Sequence, residues 1–377
     1  MTARAATRTG PSLSDDQRRD WLRLIRSENV GPVAFRQLLN RFGSASSALD
    51  ALPELARRGG GRAPRLADER TVDTELATAR RHGARFVALG EIDYPTALAA
   101  VDAPPPVLAV RGSSETLVRR TVGAVGSRNA SLAGIQICER LCTAFGRSGY
   151  TVASGLARGV DAAAHRASLG TGTTACMAGG LDKPFPPENV PLMEEIVDRD
   201  GAVVSEMPFG WVPRARDFPR RNRLIAGLSL GVVVIEAAVR SGSLITARLA
   251  NEMGRTVFAV PGNPLDPRAA GTNGLIKQGA TMVTDAEDVL DALDPMVEPV
   301  HDTAPTLFET IEAPGYEDEP PATDRDAVIA ALGPTPVEVD EIVARLGVAP
   351  GVVQTVLLEL ELAGRLQHHR GGFVSSV

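Results

Sequence analysis

Between residues 84 and 293 short apolar runs recur, and most gaps between them carry helical periodicity. The runs are Arg85–Leu89, Val107–Val110, Val122–Val125, Thr151–Ser154, Thr173–Met177, Ala202–Ser205, Val232–Ile235 and Val257–Val260. Such alternation predicts an α/β fold: a doubly wound, mostly parallel sheet with right-handed crossovers. It also predicts where chemistry gathers, because in open α/β sheets ligands meet the loops at the carboxyl ends of the strands.

One of those loops is dense in arginine. Arg214 to Arg223 contains five arginines and one aspartate, between the runs Ala202–Glu206 and Gly231–Ala237. Guanidinium groups are planar, permanently charged forks that match phosphate oxygens, so the cluster FPRRNR (Phe218–Arg223) predicts a polyanion site. Position carries this argument more than enrichment does: of 40 basic residues only Lys183 and Lys277 are lysines.

The formal net charge of −6 conceals segregation. Pro295 to Asp324 holds eight acidic residues and no Lys or Arg, and without it the balance is +2. Residues 1–120 hold 19 arginines against 14 acids. The whole-chain pI of 5.6 therefore does not exclude nucleic acid. Hydrophobic content of 44% and charged content of 23% are ordinary for a globular protein. Aromatics at 4% argue against a surface built mainly on stacking. Cys138, Cys142 and Cys176 are too few and too scattered for a disulfide framework or zinc module, and Cys138 and Cys142 read as buried apolar residues. With no signal-peptide core and no membrane-length apolar run, a cytoplasmic protein without membrane insertion, metal or cofactor is expected.

Smaller modules flank the central region. Residues 1–14 are expected to be disordered. Residues 15–83 read as a helical module and joint, in which Asn29–Pro32 forms a glycine turn between two helices, the outline of a helix-hairpin-helix (SAM-like) unit. Amides of such a turn can meet a phosphate; plain helix packing is the preferred reading. Residues 294–324 form an acidic, proline-rich linker predicted to be disordered. Residues 325–377 read as three helices and a β wing, a winged helix. Its third helix carries Glu359 and Glu361 and no cation before Arg365, so it is expected to contact protein rather than enter a DNA groove.

The central region (84–293) carries a series of loop motifs. In VGAVGSRNAS, Gly126 allows close backbone approach, Ser127 offers a hydroxyl, Arg128 a fork, and the following helix its free amides. It is not GxGxxG, so a dinucleotide fingerprint is absent. In SGLARGVDAAAH, Asp161 and His165 share a helix face, but no third catalytic or metal partner accompanies them, and His165 reads as a packed, hydrogen-bonded residue. AGGLDKPFPPEN places Lys183 in a proline-stiffened loop, with Asn189 capping the next helix. FPRRNRLIAGLS opens a helix with Pro219 in its first turn. Ser241, Gly242 and Ser243 form a polar turn after Glu236, where the hydroxyls can serve as helix caps, and Lys277 stands on the short helix of GTNGLIKQGA.

Taken together, VGSR, SGLARGVDxxAH, GGLDxxFPxxN, FPRRNRLIAGLS, SGSLITA, VFAVPGNP and TNGLIKQGA resemble the DNA-processing protein A (DprA, or Smf) family over roughly residues 85–290. The resemblance implies an extended Rossmann-like domain that binds single-stranded DNA, forms a homodimer and delivers strands to the RecA recombinase in natural transformation and homologous recombination. Carried over by motif, its pocket falls on Gly126, Ser127 and Arg128, on Lys183, and on Arg220, Arg221, Asn222 and Arg223; Ser241, Gly242 and Lys277 are further candidates. The family's usual tyrosine before proline is Phe185 here, which removes a hydroxyl. The competing reading is a phosphoribohydrolase-like enzyme with Glu236 as its carboxylate. That class carries a PGGxGT loop where this chain has PGNPLDP (Pro261–Pro267), so a non-enzymatic binding protein is expected.

Overall fold

A computed structural model describes residues 12–294 and 320–377. The expected disorder of residues 1–14 and of the acidic linker falls almost entirely outside these residues. Two compact units emerge: residues 75–294, and residues 13–74 together with 320–377. The two terminal modules, expected as separate domains, thus belong to one unit.

The first unit is built on nine strands: β1 Ala84–Ala88, β2 Val107–Gly112, β3 Thr121–Gly126, β4 Thr151–Ser154, β5 Thr173–Cys176, β6 Ala202–Ser205, β7 Gly231–Ile235, β8 Thr256–Ala259 and β9 Thr281–Met282. Their order is β1-β2-β6-β5-β4-β3-β7-β8-β9. From β6 to β9 all pairings are parallel, whereas β1 and β2 add an antiparallel edge. The chain steps outward from β3 through β4, β5 and β6, then returns to β3's other side with β7. This reversal places a crevice beyond the carboxyl ends of β3 and β7. All eight expected strands are present; β9, only two residues long and exposed, had no apolar run to announce it.

The strands form because their apolar residues are covered on both faces. Val122, Ala124, Val233 and Ile235 pack under Leu141 and Phe145 of the helix Leu132–Arg147. Burying a side chain such as Phe145 contributes roughly 1.5–3 kcal/mol. Cys138 and Cys142 lie in the same cluster as free thiols with sulfurs 4.0 Å apart, in accord with their apolar reading.

In the second unit the helices Asp15–Arg26, Pro32–Phe42 and Ala45–Arg58 are demarcated by local chemistry. Ser14 and Gln17 form a capping box, Pro32 opens its helix, and Gly43 closes it in the left-handed region. The winged helix comprises helices Ala322–Ala331, Val339–Leu346 and Pro350–Leu362 and a sheet β10 Val337–Glu338, β11 Leu366–His368 and β12 Phe373–Ser376, ordered β10-β12-β11. Val328, Ile342, Val353 and Val356 form its core.

The helix Pro350–Leu362 packs on the N-terminal helices. Asn29 Nδ2 donates to the Leu362 carbonyl (3.0 Å), and Arg365 Nη1 to the Gly59 carbonyl (3.0 Å). Arg325 donates to the Arg58 carbonyl (2.9 Å) and pairs with Glu359 (2.6 Å), whose side chain is fully buried. These contacts bear on the phosphate option for the glycine turn. Its residues Asn29 and Gly31 face a carbonyl and the Glu361 carboxylate, groups that repel a phosphate. The turn and the wing's third helix thus pack against each other within this unit.

Candidate functional site

At the end of β3, Gly126 leaves no space for a side chain: a Cβ there would lie 1.9 Å from the Ile235 carbonyl oxygen. The Ser127 amide donates to that oxygen (3.3 Å), and the Ser127 carbonyl accepts from Val160 N–H (3.1 Å). Ser127 Oγ accepts from Asn129 N–H (3.1 Å). The loop is therefore pinned on both sides, and Arg128 projects from it, exposed, with its guanidinium 5.4 Å from the Phe218 ring centre.

The loop after β4 is organised by Asp161 and His165. Asp161 Oδ2 accepts from Gly155 and Ala157 N–H (3.2 and 3.3 Å). His165 Nε2 accepts from Leu156 N–H (3.3 Å), so its other nitrogen donates to Thr173 Oγ1 (2.7 Å), which donates to the Val152 carbonyl (2.8 Å). Burial pulls the imidazole down to about 3, and His165 stands neutral as a packed, hydrogen-bonded group.

Over this loop lies Arg221, 5% exposed, from the helix Asp217–Leu228. Its Nη1 occupies the position a side chain on Gly155 would take, 1.0 Å from the would-be Cβ. Asp161 is its acidic partner at 3.7 Å. Burial lowers Arg221 from the usual arginine range and raises Asp161 from the usual aspartate range, each opposed by the other's charge. Arginine begins so high that it stays charged near neutrality. Its Nε and Nη1 have no hydrogen-bond partner among the described residues. Both atoms are occluded, while other atoms of Arg221 line a cleft of about 440 Å³ with Arg128, Arg158, Phe185 and Phe218.

The other candidates distribute unevenly. Lys183 is exposed on the loop that carries Phe185, 3.5 Å from Asp182, and does not line the cleft. Arg220 and Arg223 both turn to Glu206, each at 2.7 Å, and Arg223 also donates to the Ala103 carbonyl. Asn222 is buried and donates to the Gly242 carbonyl (3.2 Å). Ser241 caps the helix Gly242–Glu252, accepting from Ser243 N–H (3.3 Å). Lys277 is exposed on the helix Ala270–Lys277, away from the cleft lining. Glu236, the competing reading's carboxylate, accepts from Ser131 N–H (2.8 Å) and from the Ser131 hydroxyl. It holds Ser131, the N-cap of the helix Leu132–Arg147.

The structure thus unites Arg128 with one member of the arginine cluster, Arg221, and adds residues not selected from the sequence as site residues. Gly155 gives Arg221 its place. Phe185, 50% exposed, presents a ring at the cleft with Phe218 edge-on at 5.7 Å. Arg158 pairs with Glu188 at the rim. Phe185 was read for its missing hydroxyl, although a bare ring in a proline-stiffened loop was the signal for a stacking surface. Chemically, the cleft offers the guanidinium groups of Arg128 and Arg221 beside an apolar ring. Among the described residues no cluster suits a metal ion.

The family model for DNA recombination-mediator protein A matches residues 85–294, with the DprA-like N-terminal helix-hairpin-helix domain at 15–78 and the DprA winged helix domain at 312–372. The chain belongs to the DNA recombination-mediator protein A family. Protein Smf of Escherichia coli K12 is 39% identical over 283 residues, 74% of each chain. DNA processing protein DprA of Bacillus subtilis is 39% identical over 58% of this chain and 74% of its own. The crystal structure of DprA from Streptococcus pneumoniae superposes with a TM-score of 0.56 at 37% identity, covering 60% of this chain and 78% of that one. DNA processing protein A of Helicobacter pylori, whose structure was described for its single-stranded DNA binding mode, gives 0.51 at 26% identity over 57% and 98%. As in the family, the α/β unit here is flanked by a helix-hairpin-helix and a winged helix domain. Among the described residues no helix is long and apolar enough to cross a membrane.

Proposed function

We propose that this protein binds single-stranded DNA, with a backbone phosphate seated on Arg221 and Arg128 and an adjoining base against Phe185. The carrying observation is that Arg221, Arg128 and the half-exposed ring of Phe185 line one cleft of about 440 Å³. Two guanidinium groups on neighbouring loops are planar, permanently charged forks that match phosphate oxygens. Unpaired bases stack on aromatic rings without regard to sequence, which favours a single strand over a duplex whose bases face inward. Lys183 and Arg220 lie on the adjoining loop and helix as outer phosphate contacts, while Gly126 and Ser127 shape the cleft. Arg223, Asn222, Ser241 and Gly242 position helices, and Lys277 stands apart. No catalytic step is assigned, since Glu236 is engaged with Ser131, the N-cap of the following helix. In this reading the protein is cytoplasmic and works as a recombination mediator. It protects incoming strands and passes them to RecA, as a homodimer of its α/β unit, a role supported by family membership.

The test is an anisotropy titration of labelled single-stranded and duplex oligonucleotides and a mononucleotide across a salt series. The single strand is expected to bind best, with log K falling linearly in log salt. Arg128→Ala is the cleaner variant because Arg128 is exposed and has no ion pair among the described residues. It should lower the slope by about 0.7 and leave folding intact. Equal affinity for strand and duplex, or an unchanged slope, would remove the cleft from DNA binding.

A further inference from the structure

The loops at the carboxyl ends of β3, β4, β5 and β6 form a continuous edge that extends beyond the cleft. Its far end is the segment Pro208–Arg216. This segment is laced to the loop carrying Lys183 and Phe185: Gly180 N–H donates to the Trp211 carbonyl (3.0 Å), and Gly210 N–H to Asp182 Oδ1 (2.8 Å). Trp211 is held in orientation because its indole N–H donates to Asp217 Oδ2 (2.9 Å), which also accepts from Arg214 N–H (2.8 Å). The Arg214 guanidinium lies 5.1 Å from the indole ring centre, and the neighbouring Val212 is 64% exposed.

Charge partnering distinguishes this corner. Along the edge, Arg158 is neutralised by Glu188, and Arg220 and Arg223 by Glu206. Arg214 and Arg216 are exposed and form no ion pair among the described residues, as is also true of Arg128 in the cleft. Exposed cations beside a fixed aromatic ring are what a backbone phosphate and an unpaired base require together. From β3 to β6 the edge crosses three strand spacings, about 14 Å, a distance one nucleotide does not span.

Resting on the single-strand reading above, we propose that the bound strand runs across the sheet edge from the cleft to a second subsite. There a further base stacks on Trp211 and its phosphates meet Arg214 and Arg216. The strand then lies perpendicular to the β-strands, with the Phe185 loop between its two anchor points.

The chain contains two tryptophans, and Trp21 is fully buried in the N-terminal helices, so Trp211 provides the reporter. Full-length protein is titrated with dye-labelled oligothymidylates of increasing length, with anisotropy and tryptophan emission read in parallel. Emission should be quenched as longer strands bind, and Trp211→Phe should abolish most of the signal change. Trp211→Ala should weaken longer strands by about fivefold or more, the equivalent of one lost base stack. Arg214→Ala/Arg216→Ala should lower the salt slope by about 1.4 while leaving a dinucleotide, which fills only the cleft, unaffected. Binding by anisotropy with unchanged emission and an unchanged slope in the double variant would show that the strand ends at the cleft, overturning this inference while the proposed function stands. Absence of binding in the anisotropy arm overturns both.

Discussion

Arg221 and Gly155 form a lock whose two halves lie far apart in sequence. An alanine at Gly155 would put a methyl group 1.0 Å from Arg221 Nη1, so Gly155→Ala is expected to expel the guanidinium and reproduce the binding defect of Arg221→Ala with every cation still present. Anisotropy titration of the two variants checks this equivalence. Arg221→Ala carries a second cost, since Asp161 is left buried without its cation; removing one partner of a buried pair typically costs about 3–5 kcal/mol. Lower denaturation midpoints for both variants, with Arg128→Ala unchanged, are the expected pattern. The arginine cluster was legible in the sequence, yet its internal division was not. Successive helical residues turn by about 100°, which sends Arg220 and Arg223 to Glu206 and Arg221 inward. Locating Glu206 and Gly155 around that helix requires the tertiary fold.

Helix starts and loops around the cleft are braced by polar residues that sequence patterns present as catalytic candidates. The helix Val160–Ser168 returns Asp161 and His165 to the loop just before it, and Glu236 holds Ser131, the cap of the helix Leu132–Arg147. Because the folded imidazole titrates at about 3 and a free histidine at ~6.5, the unfolded chain binds the proton more readily. Stability contributed by neutral His165 is complete above pH ~6.5 and falls toward pH 3, by about 1.4 kcal/mol per unit within that window. Urea midpoints measured at neutral and mildly acidic pH should show this loss. In His165→Gln the His165 share of that slope should disappear, and an identical slope in wild type and variant would assign the acid sensitivity to other groups. The pairing of Asp161 and His165 on one face was visible as an i,i+4 spacing; their use as loop braces depends on Thr173 and Val152 from β5 and β4.

In the molecule as a whole, residues 13–74 and 320–377 share one unit, and a buried ion pair inside the winged helix holds Arg325 where it also donates to the Arg58 carbonyl. Glu359 is 0% exposed and depends on Arg325 for its counter-charge, with Arg41 contributing at longer range. Arg325→Ala is therefore expected to destabilise this unit by roughly 3 kcal/mol, seen as an earlier denaturant transition, while strand affinity in the α/β unit is preserved. Glu359→Gln, which removes the buried charge, should cost less; a larger loss for Glu359→Gln would count against the uncompensated carboxylate as the source of the cost. The acidic third helix led to the expectation of protein contact, but its packing partner within the unit, the helices from Asp15 to Arg58, carries no matching sequence mark.

Period and punctuation along the chain were enough to determine the α/β class, eight of nine strands, the presence of flanking helical modules and the loops where ligands meet the sheet. Those features arise from residues close in sequence, where side-chain alternation and caps act locally. Only the tertiary structure decided that Arg221 alone of the cluster's arginines lines the cleft, that Glu236 holds the capping Ser131, and that the wing's third helix packs on the N-terminal helices. Each of those outcomes depends on which distant carboxylate, carbonyl or missing side chain lies within about 4 Å, and no local pattern encodes that distance.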